Sequence, residues 1–202
     1  KLCYQYKYDT RNRLIEKKIP AKAWEYIVYD NLDRPVLTQD ANLRASKKWL
    51  FTKYDALGRV VYTGMYQDQR DRKALQEEEF DSKTATQNYE TKQNSAGTLN
   101  IYYSNNHFPS ANLEVFTVNY YDNYDFDTAG APTSIAGINT TSRLKGLATG
   151  SRVKVLETDQ WITTVHYYDE KARLLVVHSV NDYLGTTDIS KNELDFVGNI
   201  RT

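Results

Sequence analysis

Along this chain a Tyr-Asp pair is followed, four residues after the Asp, by Arg and then usually an aliphatic side chain. The clear copies are Tyr8-Asp9 with Arg13-Leu14, Tyr29-Asp30 with Arg34-Pro35, Tyr54-Asp55 with Arg59-Val60, and Tyr168-Asp169 with Arg173-Leu174. Two degenerate copies read Tyr121-Asp122 leading to Asp125-Phe126, and Leu194-Asp195 leading to Gly198-Asn199. Successive copies lie 21, 25, 67, 47 and 26 residues apart, which predicts a unit of about 22–25 residues with unrecognised copies in the long gaps. Such a repeat restricts the fold strongly, because each copy is one supersecondary unit that becomes stable by stacking on its neighbours.

The motif makes physical sense as a β-hairpin. Its Asp is placed to accept hydrogen bonds from backbone N–H groups of the turn. The fifth position reads Asn12, Asp33, Gly58, Asp125, Ala172 and Gly198. All but Ala172 tolerate the left-handed conformation that closes a type I turn with a G1 bulge. Tyr before the turn and Arg after it become near cross-strand neighbours, which predicts a guanidinium lying over the phenol ring of its own motif. Tyr and Arg are therefore assigned to clamping the hairpin. Trp24 and Trp49 lie five residues before a motif Tyr, and Trp161 lies seven before Tyr168. An odd offset on a strand puts Trp and Tyr on opposite faces, predicting a sheet covered on both sides.

At these residues the sequence resembles the RHS/YD-repeat family, whose mark is Tyr-Asp-x-x-Gly-Arg-Leu; the nearest match here is Tyr54-Asp-Ala-Leu-Gly-Arg-Val60. The stretch from Trp161 to Arg173, with Leu194 to Ile200 after it, is similar to RHS-type proteins of Bacteroidetes. The resemblance covers 1–64 and 113–202 and is less specific over 65–112. It implies a β-hairpin ribbon that in full-length relatives winds into a hollow cage around a toxin or spans the cell surface, and it brings an association with carbohydrate binding but no fixed sugar-binding residues. Asp33, Asn12 and Ala172 depart from the turn Gly, and the aspartyl self-cleavage and Pro-rich boundary motifs are not evident.

Composition narrows the function. Lys plus Arg and Asp plus Glu both total 26, so no basic stripe for a phosphate backbone is expected and nucleic acid is excluded as a partner. No apolar run approaches the roughly 20 residues of a membrane-spanning helix. The chain opens on Lys1, which reads as a processed product or an excised fragment, and its single Cys3 cannot form an internal disulfide. With 17 Tyr and only 4 Pro, the residues suit a pleated, half-buried surface.

One stretch reads as helix: 68–80 has strong helix formers, Asp68 as N-cap, a Lys73–Glu77 pair and a narrow apolar side of Ala74, Leu75 and Phe80. From 81 to 111 the chain turns to Ser, Thr, Asn and Gln, with 99–103 as the strand within it; loops of this length are functional or mobile. Residues 129–150, holding Gly130, Gly137, Gly146 and Gly150, predict irregular backbone before strands at 152–157 and 161–168.

Asp122, Asp125 and Asp127 form the densest acidic cluster, but their spacing misses an EF-hand loop and reads as turn chemistry. His107, His166 and His178 lack zinc spacing. No Gly-x-Ser-x-Gly, Walker or dinucleotide motif occurs, so no cofactor and no catalytic residue is expected. Trp24, Trp49 and Trp161 are the candidate ligand-stacking platforms. The resulting expectation is an all-β chain of antiparallel hairpin repeats forming a curved sheet or ribbon, with one short surface helix. Its parts are hairpins over 1–67, a helix-plus-loop insertion over 68–112 and hairpins over 113–202. The role expected is structural, in a large secreted or cell-surface protein. Its partners would be the remainder of the parent polypeptide, and glycans or an encapsulated C-terminal toxin; a carbohydrate-binding module is the alternative, and a hydrolytic enzyme ranks below it.

Overall fold

The computed structural model describes residues 3–81, 88–132, 135, 138–195 and 197–199. Eleven strands follow one another in hydrogen-bonded order along one antiparallel sheet, so the fold is all-β. They are β1 (Gln5–Tyr8), β2 (Leu14–Lys18), β3 (Glu25–Tyr29), β4 (Pro35–Gln39), β5 (Lys48–Tyr54), β6 (Val60–Gln67), β7 (Leu113–Tyr121), β8 (Ala148–Lys154), β9 (Trp161–Tyr168), β10 (Leu174–Asn181) and β11 (Thr186–Lys191). Two compact units emerge: Lys1–Thr91 with Ser104–Val115, and Lys92–Tyr103 with Phe116–Thr202.

In the first unit alternation sets the core. Along β5, Trp49, Phe51 and Lys53 point inward while Leu50, Thr52 and Tyr54 point outward. Their partners across the ladder are Tyr66, Gly64 and Tyr62. Phe51 meets the Tyr62 ring edge-on, with centroids 6.0 Å apart. Gly64 is required here, since a Cβ would stand 2.0 Å from the Glu114 carbonyl oxygen and 2.9 Å from the Phe51 ring.

The second unit repeats the pattern on β9, where Trp161, Thr163, Val165 and Tyr167 are buried and the alternate residues half-exposed. Tyr120 stacks on Phe126 with ring centroids 4.1 Å apart and on Tyr103 at 5.7 Å. The ring of Phe126 occupies the space over Gly150, where a Cβ would come within 2.5 Å of it.

These patterns correct the expectation of a sheet covered on both faces. Trp and motif Tyr do sit on opposite faces of β5 and β9, but only the Trp face is buried. The Tyr face stays half-exposed, and on β5 the Tyr54 ring lies beneath Arg34.

The helix is shorter than 68–80. It runs as α2 over Arg72–Gln76, continues as a π turn over Glu77–Asp81, and is capped by Asp71, whose side chain accepts from Ala74 N–H. Asp68 is not the cap because Arg70 has captured it, Nη2 to Oδ2 at 2.7 Å. A second short helix, α1 (Ala41–Ala45), capped by Asp40, joins β4 to β5 and was not expected. Leu75 and Phe80 are buried, and so is Gln76, whose side chain accepts from Tyr29 N–H at 3.0 Å and donates to Tyr29 C=O at 2.9 Å. Gln76 thus completes the backbone bonds of Tyr29, which lies beyond the paired residues Glu16–Tyr26 and Lys17–Glu25 of the β2–β3 ladder.

Residues 99–103 form no strand; Tyr103 makes one isolated bridge, to Lys92. The strand expected at 152–157 runs instead over Ala148–Lys154, because Tyr121 pairs with Ala148 and fixes the register there. The described part of the polar segment is packed, with Glu90, Ile101, Tyr103 and Ser104 all buried.

Ala172 adopts the left-handed conformation at φ 60°, a conformation that disfavours a Cβ by roughly 1–2 kcal/mol. Ala172→Gly is expected to raise the unfolding free energy by about 0.5–1 kcal/mol in urea denaturation, the strain relief outweighing the entropy glycine adds to the unfolded chain. A loss of stability would show that the turn does not strain its alanine.

Candidate functional site

The four clear motifs close their turns identically. The Asp N–H donates to the Arg carbonyl at 3.0–3.1 Å, and the fifth-position N–H donates to the Asp carbonyl at 3.0–3.1 Å. Asp9, Asp30, Asp55 and Asp169 each accept at Oδ1, at 2.9 Å, from the N–H groups two and four residues on. Oδ2 accepts from the Nε of Arg13, Arg34, Arg59 or Arg173 at 2.6–2.8 Å. Asn12, Asp33, Gly58 and Ala172 supply the positive φ. Burial alone would raise the Asp9 and Asp169 carboxyls, but the turn N–H groups and the motif guanidinium outweigh it and hold both below the usual range.

The guanidinium does not cover its own Tyr. The bulge puts Tyr8 opposite Leu14 and Tyr29 opposite Pro35, so the Arg lies in the loop and points along the sheet to the next hairpin. Arg13 lies over Tyr29, 4.9 Å from its centroid, and Arg34 over Tyr54 at 4.4 Å. The same Tyr then donates its hydroxyl to the carbonyl just past that Arg, Tyr29 to Leu14 at 2.8 Å and Tyr54 to Pro35 at 2.7 Å. Arg13 also reaches the Asp33 carboxylate of the next turn at 2.8 Å. Arg34 bonds the Asn88 carbonyl, and its Nη1 lies 4.0 Å from where a Gly58 side chain would begin.

The joint recurs with one register. The residue three before the motif Tyr faces the residue two after the aliphatic: Tyr26 opposite Glu16, Phe51 opposite Leu37, Val165 opposite Gly150 and Lys191 opposite Val176. In the second unit Tyr168 again donates to the preceding hairpin, at Ala148 O, 2.7 Å away. At the last turn Leu194 stands for Tyr, and Asn192 Nδ2 donates to Leu174 O at 3.2 Å in its place. Arg173 still reaches across, to Asp195 O at 3.2 Å.

The degenerate Tyr121 copy does not turn at Asp125. Asp122 N–H donates to Leu147 O, Gly146 N–H donates to Asp122 Oδ1 at 2.6 Å, and Gly146 carries φ 88°. This is the same hairpin closure with residues 123–145 inserted into its tip, Leu147 replacing Arg and Ala148 the aliphatic. Asp127 is a local turn acceptor for Ala129 N–H at 2.9 Å, and among the described residues no group of three or more metal-ligating side chains assembles.

Of the stacking candidates, Trp49 is fully buried and Trp161 is 9% exposed, so neither presents a face to a ligand. Trp24 is half-buried beneath the Lys7 ammonium, 4.7 Å from its ring. His166 sits on the half-open face with Nδ1 3.2 Å from Ala148 O, and His178 is buried.

The sequence did not reveal a buried ion pair. Lys53 Nζ lies 2.7 Å from Glu90 Oε1, the two side chains 3% and 0% exposed. Glu90 also accepts from Ser104 Oγ at 2.6 Å, Asn106 N–H at 3.0 Å and His107 N–H at 3.1 Å, and Lys53 donates to His107 O. Burial opposes the charge on Glu90, but Lys53 and these donors prevail and keep its carboxyl below the ordinary range. The network fastens Glu90, Ser104, Asn106 and His107 to the inner face of β5. Only the polar composition of the segment hinted at it.

No protein-family profile matches the chain, and no curated protein does. Solved structures that resemble it include TcdB2-TccC3-TEV and TcdB2-TccC3-Cdc42, each 14% identical over 98% of this chain with a TM-score of 0.26. Another is a Tc holotoxin pore of Photorhabdus luminescens carrying a TccC3 mutation, 12% identical over 98% with a TM-score of 0.27. The chain spans 12% of the length of each.

Glu90→Gln or Lys53→Met is expected to lower the unfolding free energy by about 3–5 kcal/mol, each leaving a buried group without its partner. The double variant should lose clearly less than the sum; additive losses in urea denaturation would deny the coupling. Burial raises the Asp68 carboxyl, but Arg70 and Tyr66 overcome it and bring the value down to about 2. Asp9, Asp68 and Asp169, all lowered on folding, contribute stability that is present above pH about 4 and lost as pH falls through their folded values. Unfolding free energy should fall between about pH 4 and pH 2, less steeply in Asp68→Asn; a flat profile would contradict the assignment.

Proposed function

We propose that this chain is a structural wall segment of a larger secreted or cell-surface hairpin-repeat protein, and that it binds neighbouring hairpins rather than turning over a substrate. The observation that carries this reading is the joint itself. The motif Asp carboxylates are consumed by turn N–H groups and their own Arg, and Arg13 and Arg34 go on to cover Tyr29 and Tyr54 of the following hairpin. A motif with its donors and acceptors so committed suits load-bearing continuity, since nothing in it is left to polarise or attack a ligand. The carbohydrate-binding alternative loses its main basis, because Trp49 and Trp161 face the core.

Electron microscopy of the parent polypeptide tests the proposal. Residues of this chain should lie within one continuous β wall, strands running on past both ends of the segment. Density showing the chain as a separate lobe on a tether would overturn it.

A further inference from the structure

A strap of chain, residues 104–110, lies over the inner face of β5 and β6 in the first unit. Tyr62 Oη donates to Ser104 O at 2.9 Å, and Lys53 Nζ donates to His107 O. Asn106 and His107 give their backbone N–H groups to the two oxygens of Glu90. Phe108 meets Tyr66 and Phe80 edge-on, with ring centroids 5.5 and 5.7 Å apart. Beneath the strap Lys53, Tyr62, Tyr66 and Glu90 are buried.

His107 is the one member of the strap with an unmet group. Its Nε2 is buried and meets no hydrogen-bond partner. A neutral imidazole can keep that nitrogen unprotonated, so that only a lone pair goes unmet, whereas an imidazolium makes it an obligate donor. The carboxylate that acts on the ring is already filled. Glu90 Oε1 takes Lys53 and His107 N–H, and Oε2 takes Ser104 Oγ and Asn106 N–H. The other charges acting on the ring, Lys53 from β5 and Arg34 from the β3–β4 turn, are both positive. Tyr62, from β6, stays a neutral phenol because burial pushes it up. Arg70, over the neighbouring Phe108 ring, is matched by Asp68, Glu78 and Glu79. Burial foremost, with Lys53 and Arg34, therefore outweighs the attraction of Glu90 and holds the His107 ring below the ordinary histidine range.

We propose that His107 is an acid-operated catch: its neutral ring keeps the strap seated near neutral pH, and its protonation at about pH 5–6 lifts 104–110 from the sheet. A ring whose seated value lies below its free value of about 6.5 favours seating fully above that pH. The advantage is lost as pH falls from there towards the seated value. Glu90, held low by Lys53 and its other donors, keeps its charge across this range, so the Lys53–Glu90 pair persists and the change belongs to the imidazole. Release uncovers Lys53, Tyr62 and Tyr66 on the inner face, an aromatic surface with one ammonium. The catch is independent of the wall-segment reading.

The test is hydrogen exchange of the full chain at about pH 7 and about pH 5, read by NMR and corrected for the intrinsic pH dependence of exchange. Protection of the Asn106 and His107 amides should fall about tenfold, within the limit of about tenfold per pH unit that one proton allows. The amides of Thr163 and Val165 in β9 should keep theirs. In His107→Phe, which cannot take a proton, the fall should disappear. Should that variant not fold, the unaltered protein still decides, because its His107 ring resonance should titrate below the ordinary histidine value. Unchanged protection of the strap amides, an equal loss in His107→Phe, or a ring that titrates at or above the ordinary value would each overturn the proposal.

Discussion

Everything regular in this protein depends on one carboxylate with two assignments. Each motif Asp turns one oxygen to the backbone N–H groups of its turn and the other to the Nε of the Arg that ends it. The first assignment closes the hairpin, and the second fixes the direction in which the guanidinium leaves it. Charge-assisted bonds of 2.6–2.8 Å hold that direction firmly enough for the remaining guanidinium face to cover a ring of the following hairpin. A Lys in the Arg position would make one such contact and lack the planar fork that reaches two neighbours at once.

The register follows from the same geometry. A strand that slips by one residue turns its inward side chains to solvent, and alternation alone guards against that slip in most sheets. Here a second device acts beside it, because Tyr29 and Tyr54 each place the ring under one Arg and the hydroxyl at one carbonyl. Trp49, Phe51 and Lys53 on one face and Tyr54 on the other then specify the same pairing independently. Agreement between core packing and surface joint explains how turns as different as Asn12, Asp33, Gly58 and Ala172 close alike.

The hairpins were legible in the sequence because their signal is local: Asp, the fifth residue and Arg fall within five positions and act on one another. The partner of the Arg ring contact was not, since Tyr29 and Tyr8 are equally good aromatic neighbours on paper. Only the bulge that moves Arg13 out of the ladder decides between them. Residues 123–145 hid a turn of the same kind for a related reason, as Asp122 meets Gly146 and Leu147 across an insertion that no fixed spacing describes. Glu90 and Lys53, 37 residues apart, read as surface charges until their mutual burial is seen. Gln76 was equally silent, a polar helix residue whose amide completes the backbone of Tyr29.

The insertions show what a hairpin wall tolerates. Lengthening a loop adds closure entropy only slowly, so a turn whose base is held by Asp122 can carry a long excursion if the excursion finds cover of its own. Phe126 does so by filling the place over Gly150 and stacking on Tyr120. The segment at 90–107 does so by burying a carboxylate, which is tolerable only because an ammonium and three further donors meet it there. Chain can therefore be added at the tips and between repeats without disturbing the joints, whereas a change at a motif Asp or Arg acts on two hairpins together.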